Sequence, residues 1–283
     1  MLTNLKEMTE KAKKEFYAVP HFNINNLEWT KYILETCEEM KSPVILGVSE
    51  GAARYMGGFN VISNLVNGLI KDLKINIPVC LHVDHGSSYE ICKSAINSGF
   101  TSVMIDASKY SLEENIKITK SVVEYAKKFN VTVEAEIGHI GGSEDSITSD
   151  IAYAKTNDVI KLVKETNVDL IAPALGSVHG LYKGEPKLDF ERMKEINKLI
   201  KIPLVLHGGT GIYDFQIKKA ISCGISKINI NTDLQIVWSN SVKKFLEQNP
   251  KVYDPRKIIG SGEQSMKAKI KEKILLFGSN NKY

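Results

Sequence analysis

The chain has 283 residues, enough for one large α/β barrel or two modest domains and long enough to bury a full core. Its 37 basic and 33 acidic residues are spread along the length, and lysines such as Lys267, Lys269 and Lys271 fall among glutamates on predicted helices. These read as solvated faces, which argues against a nucleic-acid footprint, and no apolar stretch is long enough to span a bilayer.

A helix is expected over Leu5 to Phe16, placed to cover one end of the strands downstream of it. Eight short β-branched runs then come in order: Tyr17 to Asn23, Pro43 to Ser49, Val79 to Asp84, Ser102 to Asp106, Val131 to Ile137, Leu170 to Ala174, Leu204 to His207 and Lys227 to Asn231. Amphipathic stretches separate them, with apolar spacing near i, i+3, i+4, as in Trp29, Ile33, Leu34 and Cys37. Strand then helix, eight times over, predicts a (β/α)8 TIM barrel, read as a single domain over 1–283. Several runs are apolar without alternation, as strands buried on both faces should be. Between the fifth and sixth runs, Gly138 to Ser146 is glycine-rich, polar and longer than a usual barrel loop, which reads as a mobile lid. After the eighth run come additional C-terminal helices, Leu234 to Glu247 and Gln264 to Phe277, of the kind that serve subunit packing in a homo-oligomer.

Cys37, Cys80, Cys92 and Cys223 show no C-x-x-C pair and no zinc-ligand spacing, so they read as buried thiols. Charge begins too early in the first residues for a signal peptide. A reducing, cytoplasmic setting is the expectation.

All six histidines, His21, His82, His85, His139, His179 and His207, fall at or just past the downstream end of a predicted strand. In a parallel barrel those ends share one face, where catalysis takes place. Imidazoles converging beside a carboxylate point to a metal site, and a catalytic zinc wants three protein ligands and an open position. His85, His179 and His207 follow the third, sixth and seventh strands and can close on one ion. Parity puts His82 and Asp84 on one face of the third strand, with His85 released by the turn into Gly86.

Glycine-rich turns at Gly176 to Gly180 and His207 to Gly211, with Asn229 to Asp233 after them, suit a phosphate site at the loops following strands seven and eight. Lys183 adds a cation. A metal beside a phosphate cradle fits chemistry on a phosphorylated ketose. A Schiff-base mechanism is disfavoured, because the only lysine in a predicted strand is Lys227, expected at an upstream end. A barrel metallohydrolase is disfavoured too, since His21-Phe22-Asn23 stands where its pair of histidines would be.

The segments Phe22 to Asn26, Val48 to Ala52, Asp84 to Ser88, Val103 to Ser108, Val133 to Gly138, Gly141 to Asp145 and Leu175 to Gly180, with those around His207 and Asn229, resemble in order the class II, metal-dependent fructose-bisphosphate aldolases, in the bacterial branch that also includes tagatose-bisphosphate aldolases. The resemblance implies Zn2+ on His85, His179 and His207, and Asp84 as the acid/base at the substrate C4 hydroxyl. It implies a second or displaced Zn2+ position at Asp106 and Glu136, and Glu144 as the lid residue exchanging a proton at C1 of dihydroxyacetone phosphate. Asn23, Ser49, Gly180, Lys183, Gly208, Gly209, Thr210, Asn229, Ile230, Asn231 and Thr232 match substrate contacts. Arg256 matches an arginine brought to the distal phosphate, often from a neighbouring subunit of a dimer or tetramer. A monovalent cation, Na+ or K+, near the phosphate pocket is also implied. Asn231 favours fructose over tagatose bisphosphate, and does not separate fructose bisphosphate from 6-phospho-5-dehydro-2-deoxygluconate. His21, His139 and Tyr213 depart from the usual pattern; His139 reads as a solvated lid histidine sooner than a spare metal contact.

Overall fold

A computed structural model describes residues 2–144, 147–149, 152–182 and 184–283. Its eight principal strands are β1 (Val19–Asn23), β2 (Val44–Val48), β3 (Val79–Gly86), β4 (Ser102–Ile105), β5 (Thr132–Ile137), β6 (Leu170–Pro173), β7 (Leu204–Leu206) and β8 (Ile225–Ile230). They pair in parallel in chain order, and β1 pairs with both β2 and β8, which closes the barrel. Closure leaves no sheet edge, and the surrounding helices cover the outer face, so nearly every strand residue is buried. The expected (β/α)8 barrel is therefore what forms.

The helices begin where the sequence supplies an acceptor for their first free N–H groups. Asn26, Ser49, Ser88, Ser111 and Asp189 each cap the helix that begins there. Ser49 and Ser88 do so directly above the strands β2 and β3, so the same turns that start helices also shape the barrel mouth. The N-terminal helix Leu5–Glu15 closes the opposite end, its Leu5, Met8 and Ala12 packing with Val19, Ile45, Cys80, Leu170 and Val205 from inside the barrel. Three helices come after β8: Thr232–Gln248, Pro255–Gly260 and Glu263–Phe277. The last buries Met266, Ile270, Ile274 and Phe277 at helical spacing. The four cysteines are buried and free. Among the described residues no helix is long and apolar enough to cross a membrane.

Three local differences from the sequence reading bear on function. First, β8 begins at Ile225, two residues earlier than expected, which moves Lys227 from a strand's upstream end to the barrel interior, fully buried. Second, His21 and His82 are not at strand ends; they sit in the middle of β1 and β3 with no exposed surface. Third, β3 runs on to Gly86 through a register shift after Val83, and His85 takes φ 51°. Such a bulge re-aims one side chain, so His85 and Asp84 both reach the same cavity although they are sequence neighbours.

The glycine-rich segment after β5 is not a plain loop. Gly141–Glu144 and Ile147–Ser149 form an antiparallel pair, and Val178–His179 adds alongside in parallel to make a three-stranded sheet. Gly142 allows this: a Cβ there would lie 2.1 Å from the carbonyl oxygen of His179. The backbones of Gly141–Gly142 and Val178–His179 are thus hydrogen-bonded neighbours.

Candidate metal centre and active site

Because side chains alternate, two residues along a strand carry an inward-facing group one layer up the barrel. The sequence Val19, His21, Asn23 on β1 and Cys80, His82, Asp84 on β3 each climb from an apolar floor through a histidine layer to the mouth. Glu134 and Glu136 on β5, and Lys227 and Asn229 on β8, supply the two upper layers from other sides of the barrel.

At the mouth, His85, His179 and His207 bring one nitrogen each within 4.8 Å of one another. Their ring centroids lie 4.7 to 5.8 Å apart, edge to face. His85 Nδ1 is 3.1 Å from Asp106 Oδ2, and His207 Nε2 is 2.9 Å from Glu134 Oε1. Burial opposes ionisation of both carboxyls, yet Asp106 is held below the usual range by its bond to His85, and Glu134 by the Lys227 ammonium and His207. Ionised carboxylates only accept, so both of these ring nitrogens carry the hydrogen. The other nitrogens, His85 Nε2 and His207 Nδ1, then face each other with lone pairs at 2.9 Å.

Two lone pairs at that separation repel unless a cation lies between them. Burial pushes His207 down to about 4, and burial together with the neighbouring imidazoles pushes His179 well below its ordinary value, so neither of these two rings supplies that charge as a proton at neutral pH. A zinc ion with Zn–N of about 2.0–2.1 Å matches three convergent imidazoles, two of which, His85 and His207, face a carboxylate on their far side. The residues fit the metal.

Asp84 is 1% exposed and lies beside this centre. Asn23 Nδ2 donates to its Oδ2 at 2.8 Å and Asn229 Nδ2 to its Oδ1 at 3.2 Å, with His21 Nε2 3.5 Å from Oδ2. Burial alone would raise its pKa, but His21 and the metal-site imidazoles hold it well below the usual carboxylate value. Asp84, His85, Asp106, Glu136 and His179 line one cavity of ≈ 480 Å³ with Ser49 at its rim. A second cavity of similar size, lined by Asn23, Ser49, Asn231 and Trp238 among others, lies next to it across Ser49.

Glu136 Oε2 lies 3.6 Å from His85 Nδ1, so Asp106 and Glu136 share the far face of that ring. Gly208 has φ 64°, and a Cβ there would meet Val178 O at 2.1 Å. Tyr182 Oη accepts from Val178 N–H at 3.1 Å and donates to Gly208 O at 3.2 Å, tying the His179 segment to the His207 turn. The Gly209 N–H already donates to Asn229 O, so it is not free for a phosphate. Thr210 Oγ1 accepts from Asp233 N–H in the first turn of Thr232–Gln248, whose N-cap is Asn231. Ile230 is fully buried, so its place among the expected substrate contacts is not supported by any exposed surface. Gly180, at φ 80°, comes directly after His179. Arg256 is held by Asp254 on the surface and lines a separate cavity with Lys244 and Ser261, not the one that holds Asp84. The Glu144 side chain and Lys183 lie outside the described residues.

Four interior residues were not singled out from sequence for what they do here: His21, His82, Glu134 and Lys227. Lys227 Nζ lies 3.1 and 2.8 Å from the two oxygens of Glu134, and His82 Nδ1 lies 2.7 Å from Ser102 Oγ. Burial lowers both His21 and His82. The available signal was the parity of Glu134 with Glu136 and of Lys227 with Asn229. A buried, desolvated lysine does exist in this barrel, contrary to the expectation, but it is tied to a carboxylate.

Residues 3–282 match the family model described as "Fructose-bisphosphate aldolase class-II". The chain is 57% identical over 282 residues to the fructose-bisphosphate aldolase of Geobacillus stearothermophilus, covering 99% of this chain and 98% of that one. It is 54% identical over 282 residues to the fructose-bisphosphate aldolase of Staphylococcus aureus (strain Mu50 / ATCC 700699), with 99% of each covered. Among solved structures, the YdjI aldolase from Escherichia coli K12 is similar with a TM-score of 0.85 at 34% identity, covering 100% of this chain and 99% of that one. Fructose-bisphosphate aldolase from Campylobacter jejuni gives 0.86 at 27% identity, covering 99% and 95%. With three convergent imidazoles beside a buried aspartate, and with full-length matches of this kind, the chain belongs to the class-II fructose-bisphosphate aldolase family.

Proposed function

We propose that the chain catalyses reversible aldol cleavage of fructose 1,6-bisphosphate to dihydroxyacetone phosphate and glyceraldehyde 3-phosphate, with a zinc ion held by His85, His179 and His207. The convergence of one nitrogen each from His85, His179 and His207 within 4.8 Å, with His85 Nε2 and His207 Nδ1 2.9 Å apart, is the observation that carries the metal part of this reading. An ion held there supplies Lewis acidity to the substrate's carbonyl and to the negative charge that develops as the C3–C4 bond breaks.

Asp84 is suited to be the proton carrier at the C4 hydroxyl. Its carboxylate is fixed by the amides of Asn23 and Asn229, it is ionised, and it opens on the cavity that the histidines line. It takes the hydroxyl proton in cleavage and returns it in condensation. Glu144 is the second proton carrier in this reading, exchanging a proton at C1 of dihydroxyacetone phosphate, and its strand belongs to the sheet that includes His179. Asp106 and Glu136 orient His85 while its Nε2 serves the ion. His85, Asp106 and Glu136 form a second group that would hold a displaced ion, and since a neutral imidazole has one lone pair, His85 would serve that position or the one shared with His207, not both at once.

For the phosphate of dihydroxyacetone phosphate, Gly208 and Thr210 either side of the already bonded Gly209 N–H, Gly180, Lys183 and the helix N-terminus at Asn231 and Thr232 supply N–H groups and charge, with Ser49 and Asn229 at the pocket's edge. A monovalent cation, Na+ or K+, would sit with that phosphate. Arg256 lies outside its own chain's cavity, which supports a homo-oligomer, dimer or tetramer, where it serves a neighbour's distal phosphate. Light scattering on the intact protein tests that assembly. The substrate is tested by kcat/KM on fructose 1,6-bisphosphate, tagatose 1,6-bisphosphate and 6-phospho-5-dehydro-2-deoxygluconate side by side, with zinc content measured in parallel. Preference for either of the last two displaces the first.

A further inference from the structure

We propose that Glu134 and Lys227, one layer beneath the metal centre, act as a positioning pair that holds His207 in the one tautomer able to bind a divalent cation. The inference rests on the reading of His207 as a metal ligand, but concerns residues that do not touch the ion or the substrate.

A neutral imidazole carries its hydrogen on either nitrogen, and only the bare nitrogen can coordinate. His207 Nδ1 faces His85 and Nε2 faces away, into the barrel. With hydrogen on Nδ1 the ring would aim an N–H bond at the metal position. Glu134 prevents this: its Oε1 lies 2.9 Å from Nε2 and can only accept, so the hydrogen stays on Nε2. Lys227 in turn fixes Glu134, lying 3.1 Å from Oε1 and 2.8 Å from Oε2. All three groups are at most 1% exposed.

Stability does not explain the arrangement. Removing two charges from water is costly, and replacing a buried ion pair with packed apolar groups is often neutral or stabilising. The floor one layer below shows that this barrel can be filled by Val19, Ile45, Cys80, Leu170 and Val205. A lysine and a glutamate placed instead directly under a ligand supply direction: a fixed acceptor, with its charge compensated from below. Carboxylate partners of metal-binding histidines commonly act in this way, and losing one typically weakens metal binding 10–100-fold.

The test is the double variant Glu134→Leu/Lys227→Met, which removes both charges together and leaves neither uncompensated. Zinc affinity is measured by chelator competition, and the visible spectrum of the Co2+-loaded protein reports ligand geometry without any turnover. The expected result is a native fold by circular dichroism, a thermal midpoint of the metal-free protein no lower than that of wild type, zinc binding weaker by 10–100-fold, and a changed Co2+ spectrum. A folded double variant with wild-type zinc affinity and spectrum overturns the inference. Should the variant not fold, 15N chemical shifts of His207 in the metal-free wild type decide: hydrogen on Nε2 supports the pair's role, hydrogen on Nδ1 refutes it. If the wild type itself binds no zinc, the metal-centre reading fails instead, which keeps the two failures apart.

Discussion

The floor and the middle layer of the barrel interior are made from the same strands, one pleat apart, and have opposite physics. On β1 the step is Val19 to His21; on β3 it is Cys80 to His82. The floor closes against the N-terminal helix with apolar side chains alone. The middle layer places His21, His82, Glu134 and Lys227 where no water reaches them. Apolar burial holds the floor, at roughly 25 cal/mol per Å², whereas the middle layer depends on partners for each charge. The barrel's stability and its chemistry are therefore stacked along one axis. Substitutions at different heights should separate the two.

The largest separation should come from the mouth. Removing metal with a chelator is expected to abolish aldol cleavage, and added Zn2+ to restore it, while circular dichroism still reports a folded barrel, because the floor contains no ligand. Full turnover in protein shown to be metal-free would break the division. Next, Asp84→Asn should lower kcat by about 10²–10⁴-fold, the range typical of a general acid–base group, with zinc content unchanged. Loss of zinc along with activity would instead make Asp84 part of the ion's binding site.

Leu170→Ala tests the other end. Leu170 is fully buried in the floor, and a large-to-small change there costs about 2–5 kcal/mol. Urea unfolding should show this loss while kcat/KM of the folded enzyme stays near wild type. A large kcat/KM change would show that the floor communicates with the mouth through the layer between them.

Part of this layering was legible in the sequence. Eight β-branched runs with helical spacing between them identified the barrel, and the convergence of His85, His179 and His207 was readable because each comes at the end of a different strand of it. The middle layer was not legible, for a physical reason. Which inward-facing residues meet is decided by stagger between strands that are distant in the chain, so Glu134 and Lys227, 93 positions apart, gave no local sign of pairing. Lys227 was misplaced because β8 starts at Ile225, where Ile225-Ser226 offers only weak strand signal. The strands after β5 were hidden as well: Gly141, Gly142 and Ser143 have no apolar alternation, and the pairing of the first two with Val178 and His179 depends on tertiary contact.

Acidification should act on the upper layers and leave the floor alone. In the folded state His207 is pushed down to about 4, and His21, His82 and His179 are also lowered, so each binds fewer protons than its unfolded counterpart near 6.5. The stability they contribute is complete above about pH 6.5 and is lost as pH falls toward 4. The depressed carboxyls Asp84, Asp106 and Glu134 extend the loss at still lower pH. Metal-free protein should therefore unfold at lower urea at pH 5 than at pH 7. Bound zinc should delay the loss, because ligand imidazoles cannot take protons until the ion leaves. Equal urea midpoints at the two pH values would mean that these imidazoles bind protons in the fold as they do in the unfolded chain, and a higher midpoint at pH 5 that the fold holds them protonated.

The smallest effect is expected from a histidine that shares the mouth without belonging to its network. His139 lines the cavity with Asp84 and His179, but its backbone is what the fold uses, exchanging hydrogen bonds with Ala152 at 2.9 and 3.0 Å. Among the described residues it joins none of the ligand groups that include His85. His139→Ala keeps both backbone bonds, so stability should change by no more than about 0.5 kcal/mol, as at ordinary surface positions, and zinc affinity not at all. A measurable drop in zinc affinity would make His139 a fourth contact. Height in the barrel would then be a sufficient guide to chemistry, and membership of the carboxylate-backed set would no longer be needed to pick out the ligands.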